Sequence, residues 1–133
     1  MLALAFAGAP ALTQPVSASK FPAAAVAFLD AELPKMDAAV LANDQTYFGG
    51  SSERMQQFLD AWGLKSDKAA LVAHPVCTDA VTDFQVVGLC RMLPAGPICD
   101  PGTFIPKFER NLAQCRAAAK TDRPLELKPV PQP

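Results

Sequence analysis

Four cysteines, Cys77, Cys90, Cys99 and Cys115, crowd the C-terminal half of a 133-residue chain and constrain it more than any other feature. Gaps of 13, 9 and 16 residues, with a single histidine in the whole chain, lack the short ligand spacing that a zinc site needs. Neither the C-x-x-C of a thioredoxin-type redox pair nor the C-x-x-C-H of covalent haem attachment occurs. The remaining role is structural. Four cysteines in so short a chain point to two disulfides and an oxidising compartment.

Which cysteines pair depends on the helices that carry them. Alanine and leucine abound, aromatics are sparse and no β-type alternation occurs, so the composition favours helix. From Pro22 onward, Val26, Leu29, Leu33, Met36, Val40 and Tyr47 recur at helical spacing, with Asn43 in the one gap. Pro34 falls inside this stretch and predicts a kink or a break, with Pro34 opening a second segment. Gly49-Gly50 is the expected stop. Ser51 is the expected N-cap of a helix carrying Met55, Phe58, Leu59 and Trp62, with Glu53 in its first turn and Gly63 just past its end. A short helix is expected after Ser66. The next helix starts near Pro75 and runs to about Leu93, with Cys77, Val81, Phe84 and Gly88 on one stripe. A turn at Asp100-Pro101-Gly102 leads into a last helix with Phe104, Phe108, Leu112, Cys115 and Ala119 as its apolar stripe.

On one helix, Cys77 and Cys90 stand about 20 Å apart, whereas bridged Cα atoms lie within about 7 Å. They cannot pair. In an antiparallel hairpin, Cys77 meets Cys115, and Cys90, rotated away from Cys77 by roughly 140°, points toward the loop and Cys99. The predicted bridges are therefore Cys77–Cys115 and Cys90–Cys99. On the loop-entropy model they stabilise by about 4 and about 2.6 kcal/mol.

At the N-terminus, an apolar stretch from Met1 to Leu12 precedes Val16-Ser17-Ala18, the small-x-small form that a signal peptidase accepts. Residues 1–18 therefore read as an export signal, although no Lys or Arg precedes the run and Pro10 interrupts it. The run is too short to span a membrane. Residues 19–120 make one helical domain, able to bury roughly two-thirds of its unfolded surface. Residues 121–133, TDRPLELKPVPQP, hold four prolines and form an extended tail. The expected class is all-α: a small bundle of about four helices with a disulfide-stapled C-terminal hairpin and a Pro-rich tail.

Twelve Lys and Arg against 13 Asp and Glu leave a net charge of -1, with no field to gather nucleic acid. His74, next to Pro75, reads as a capping or packing residue. Its catalytic reading pairs it with Asp79 or Asp83, as small secreted phospholipases pair a helix histidine with a carboxylate. Those enzymes carry His followed directly by Asp and a glycine-rich calcium loop, which this chain lacks. Asp30, Glu32, Asp37 and Asp44 read as the solvated face of the first helix. Ser51-Ser52 lacks a G-x-S-x-G context. No catalytic, metal-binding or cofactor-binding residue is therefore assigned, and the chain is expected not to be an enzyme. What remains is surface: Pro124, Leu125, Leu127, Pro129, Val130 and Pro131 of the tail form a segment suited to lying along a partner's groove.

KMDAAVLAND at Lys35–Asp44, HPVCTDAVTDF at His74–Phe84 and VVGLCRMLPAGPICDP at Val86–Pro101 resemble the small accessory subunit of membrane-bound quinohaem alcohol dehydrogenases of acetic acid bacteria. The resemblance runs from about Lys20 to Ala119. It implies a periplasmic subunit that binds no cofactor and stabilises a large subunit carrying pyrroloquinoline quinone (PQQ) and haem. The expectation is a non-catalytic accessory subunit, periplasmic or secreted, that holds a larger exported protein with its terminal segments. The alternative is a free-standing periplasmic inhibitor or immunity-type binding protein, stable alone and binding through a compact patch.

Overall fold

The computed structural model describes residues 17–94, 96, 99, 100 and 102–121. Most of residues 1–18, expected to be an export signal, and all six tail residues expected to meet a partner, Pro124, Leu125, Leu127, Pro129, Val130 and Pro131, lie outside the described residues. A 3-10 turn at Ala18–Lys20 leads into α1 (Phe21–Leu41), followed by α2 (Tyr47–Ala61), α3 (Ala69–Ala73), α4 (Pro75–Met92) and α5 (Phe104–Thr121). No strand occurs among the described residues, so the chain is a small all-α bundle.

The first helix ends earlier than its apolar spacing predicts. Asn43 takes a left-handed φ of 52°, the Asn43 N–H bonds the Val40 carbonyl, and the Asp44 N–H reaches back to the Ala39 carbonyl at 2.8 Å. This is a Schellman end with asparagine in the position usually held by glycine. Tyr47 therefore opens α2, and Gly49-Gly50 lies inside that helix. Ser51 is not an N-cap either. It is a fully buried interior residue of α2, and Glu53 lies in mid-helix. Pro34 neither breaks α1 nor starts a new segment, and its side chain lies at the exposed surface of a 21-residue helix. One missing backbone hydrogen bond is offset by the core contacts that Leu29 and Met36 make on either side of it.

The buried face of α1 is also rotated from the expected stripe. Ala25, Leu29, Glu32, Met36 and Ala39 face the interior, while Val26, Leu33 and Val40 cover its flank. The later elements follow the sequence more closely. Gly63, at φ 97°, terminates α2 just past its end, where a Cβ would collide with the Asp67 carbonyl at 2.0 Å. The short α3 follows Ser66, with the Asp67 carboxylate accepting the Ala69 N–H at 3.0 Å.

Four long helices alternate in direction. α1 and α4 run parallel: Phe21 meets His74, Phe28 meets Phe84, and Asp37 bonds Arg91 at 2.5 Å. α5 runs antiparallel to both, bringing Cys115 beside Cys77 and the Pro22 carbonyl. α2 also runs against α1, so that Arg54 reaches Glu32 and Phe58 reaches Phe28. Since α2 and α5 both touch α1 and α4 but hardly each other, they lie on opposite sides of that central pair. The core between them is built on Phe21, Leu29, Met36, Val81 and Phe84, all at most 1 % exposed. Each such burial stabilises by about 1.5–3 kcal/mol. Gly88 lets α4 approach closely, because a Cβ there would meet Met36 Sδ at 2.5 Å and a Phe48 ring carbon at 2.9 Å.

Both predicted bridges are present. Cys77–Cys115 joins α4 to α5 with a Cα separation of 4.9 Å, and Cys90–Cys99 ties the end of α4 to the following loop at 5.0 Å.

Candidate functional site at the pole where both chain ends leave

The polar residues inside the bundle are held by one another. Glu32, 3 % exposed, is not part of a solvated face: α1 turns it inward, toward α2. There Arg54 grips it through Nε to one oxygen and through Nη2 to the other at 2.9 Å, while the Tyr47 hydroxyl donates to it at 2.7 Å. The Arg54 guanidinium, aided by the Tyr47 hydrogen bond, holds the Glu32 carboxyl below its ordinary value against the opposing effect of burial. Burial and the adjacent carboxylate push the Tyr47 phenol far up, so it stays a neutral donor. A second group lies alongside. Gln85 Nε2 on α4 donates to Ser51 Oγ at 2.6 Å, Ser52 Oγ donates to Gln85 Oε1 at 2.9 Å, and Ser51 Oγ donates to the Phe48 carbonyl at 3.2 Å. These six side chains clasp α2 onto α1 and α4.

The other expected acids of α1 are exposed and structural. Asp30 pairs with Arg116 at 2.8 Å, Asp37 with Arg91, and Asp44 accepts both the backbone N–H and the hydroxyl of Thr46. His74 occupies the N-cap position of α4 without a side-chain capping hydrogen bond and sets its ring 6.3 Å from Phe21. It forms no hydrogen bond to Asp79 or Asp83 among the described residues. Asp83 is half-buried between α4 and α5, where desolvation raises its carboxyl and Lys107 partly counters this. Asn111, on α5, buries its Nδ2 with no hydrogen-bond partner among the described residues. Among those residues no group of three His, Cys, Asp or Glu side chains could hold a metal ion, and no helix is long and apolar enough to cross a membrane.

The surface has one distinctive end. Because Cys115 packs beside Pro22, α5 finishes at the pole where α1 begins. The segments outside the described residues, 1–16 and 122–133, therefore attach to the same pole, at Ser17 and Thr121. A cleft of about 370 Å³ opens there. The 3-10 turn forms one wall with Ser17 and Ala18, the end of α2 contributes Ala61, Trp62 and Gly63, and the α3 side supplies Ser66, Asp67, Ala69 and Ala70. Trp62 packs edge-on against Phe21 at 5.3 Å, with Phe58 at 6.5 Å, so its ring is fixed from below. Its indole N–H has no hydrogen-bond partner among the described residues.

Sequence reasoning located the disulfides and the stripe that holds Trp62. It missed the buried Glu32 clasp and the cleft. The spacing of Glu32 from Leu29 and Met36 is that of a core position, the one signal available for the clasp. Set against known protein families, curated proteins and solved structures, the chain matches none of them.

Proposed function

We propose that this chain is a non-catalytic accessory subunit that binds and stabilises a larger exported protein, gripping it with the segments that leave the pole at Ser17 and Thr121. The observation that carries this reading is the shared exit. Two segments that leave from one pole can embrace one partner surface, whereas segments at opposite poles would each need their own. A proline-rich segment of twelve residues, 122–133, also costs less to order on a partner than a flexible one.

Two disulfides and no free cysteine suit an oxidising setting. Within that setting we assign the periplasm or the outside of the cell. The resemblance of Lys35–Asp44, His74–Phe84 and Val86–Pro101 to the small subunit of quinohaem alcohol dehydrogenases makes a PQQ- and haem-containing dehydrogenase the proposed partner. The cofactors belong to that partner.

The test is affinity purification of the full chain from its native envelope, with the co-purifying chains identified by mass spectrometry. A stoichiometric large dehydrogenase is expected, and its recovery falls at least tenfold when residues 122–133 are replaced by a Gly/Ser stretch of equal length. Undiminished recovery with the replaced tail overturns the grip. A chain recovered alone, binding an enzyme only transiently through a compact patch, makes it an inhibitor instead.

A further inference from the structure

The cleft beside Trp62 has the make-up of a proline-segment receptor. An extended polyproline strand has no internal hydrogen bonds, so its carbonyls seek donors while its rings seek flat apolar surface. Trp62 offers both, a ring braced by Phe21 and an indole N–H without a partner among the described residues. Alanines at 61, 69 and 70 keep the walls low, and at about 370 Å³ the cleft admits a short stretch of chain.

The same molecule carries a segment of that chemistry, attached at the same pole. Residues 122–133 follow Thr121, the last residue of α5, and contain Lys128-Pro129-Val130-Pro131. Pro129 and Pro131 stand eight and ten residues beyond Thr121, a reach of roughly 25–31 Å in polyproline form at 3.1 Å each. The cleft opens at the pole where α5 ends, so the path to it crosses at most the width of one small domain, about 30 Å. Charges also match. Asp67 stands in the cleft with Lys68 next to it in sequence, while the tail places Lys128 beside its proline pair and Glu126 two residues earlier.

We propose that the free chain docks its own tail in this cleft, with Pro129 and Pro131 on the Trp62 ring and a backbone carbonyl of the segment accepting the indole N–H. The cleft thus stores the proline segment while no partner is bound, and a partner that takes the tail leaves the cleft open. This inference concerns the chain alone and does not depend on the identity of the partner.

Trp62 is the only tryptophan, so its fluorescence reports the cleft directly. The experiment compares the full chain with a full-length variant carrying P124S, P129S and P131S, whose fold is checked by far-ultraviolet circular dichroism. Docking predicts that acrylamide quenching of Trp62 rises roughly twofold in the variant, with a red shift in emission, as a half-covered ring loses its cover. It also predicts that a synthetic peptide of residues 121–133 restores the original emission of the variant saturably, and that Asp67→Asn weakens this restoration. Three results overturn the proposal. One is identical quenching of the two chains with no response to the peptide. Another is a quenching difference that disappears on dilution, which assigns the cleft to the tail of a second copy. The third is exposure of Trp62 on removal of residues 1–16 but not on tail substitution, which assigns it to the leading segment.

Discussion

α5 and α2 lie on opposite sides of the α1/α4 pair and are fastened by opposite kinds of chemistry. α5 is held by the covalent Cys77–Cys115 bridge and by an apolar stripe with Phe108 and Cys115 at its centre. α2 is held by a buried carboxylate gripped by Arg54 and Tyr47, and by the Ser51–Gln85–Ser52 group. The covalent bridge answers to reductants, and the carboxylate clasp answers to protons. Two helices of similar length in one small core can thus be released by different conditions.

The largest effect should come from the covalent side. Replacing Cys77 and Cys115 together by serine, or reducing the bridge, is expected to lower unfolding free energy by about 4 kcal/mol, measured by denaturant titration with and without reductant. Next is the clasp. Arg54→Ala leaves a covered carboxylate without its cation and should cost about 2 kcal/mol at pH 7, reduced from a fully buried pair because Arg54 itself reaches solvent. The sign with pH follows from the lowered Glu32 carboxyl. In the parent chain its contribution is complete above the unfolded carboxylate value near 4.3 and is lost as pH falls through the lower folded value. The gap between parent and Arg54→Ala should therefore close below about pH 4, and a constant gap down to pH 2 would break the comparison.

Gly88→Ala tests the seam of α4 against α1 and α2, since the new methyl group must displace Met36 or Phe48. A net loss of about 1 kcal/mol is expected after the helix-propensity gain is subtracted from the overpacking cost, read as a lower thermal midpoint. Asn111→Leu should act in the opposite direction. Replacing a buried donor that has no partner among the described residues with a side chain of similar volume is expected to stabilise the α5 side by up to about 1 kcal/mol, visible as a raised denaturation midpoint. Smallest is Arg116→Ala, which opens the exposed pair with Asp30 and should change stability by less than about 0.5 kcal/mol.

The C-terminal half was far more legible in the sequence than the N-terminal half. α4 has a proline start, α5 follows a turn rich in turn formers, and both carry apolar stripes and cysteines whose helical phase allows one sensible pairing, so local signals sufficed. α1 is apolar on nearly every side, and its alanine-rich pattern fits several rotations. The choice between Leu33 and Glu32 as the inward residue depends on Arg54 and Tyr47, which approach from another helix. The end of α1 was hidden for a related reason, because Asn43 takes the left-handed position that a search for glycine assigns to Gly49-Gly50. The candidate cleft is a property of three separate segments meeting at one pole, which no local pattern encodes.

The two disulfides are nested, the inner one from Cys90 to Cys99 and the outer from Cys77 to Cys115. In chain order, Cys77 first becomes able to react with Cys90, which is the wrong partner. A formed α4 is a rigid spacer between those two thiols and forbids their union. Secondary structure therefore acts here as a proofreader of oxidation: a molecule mispaired at Cys77–Cys90 must carry a melted α4, and regaining that helix requires the wrong bond to break.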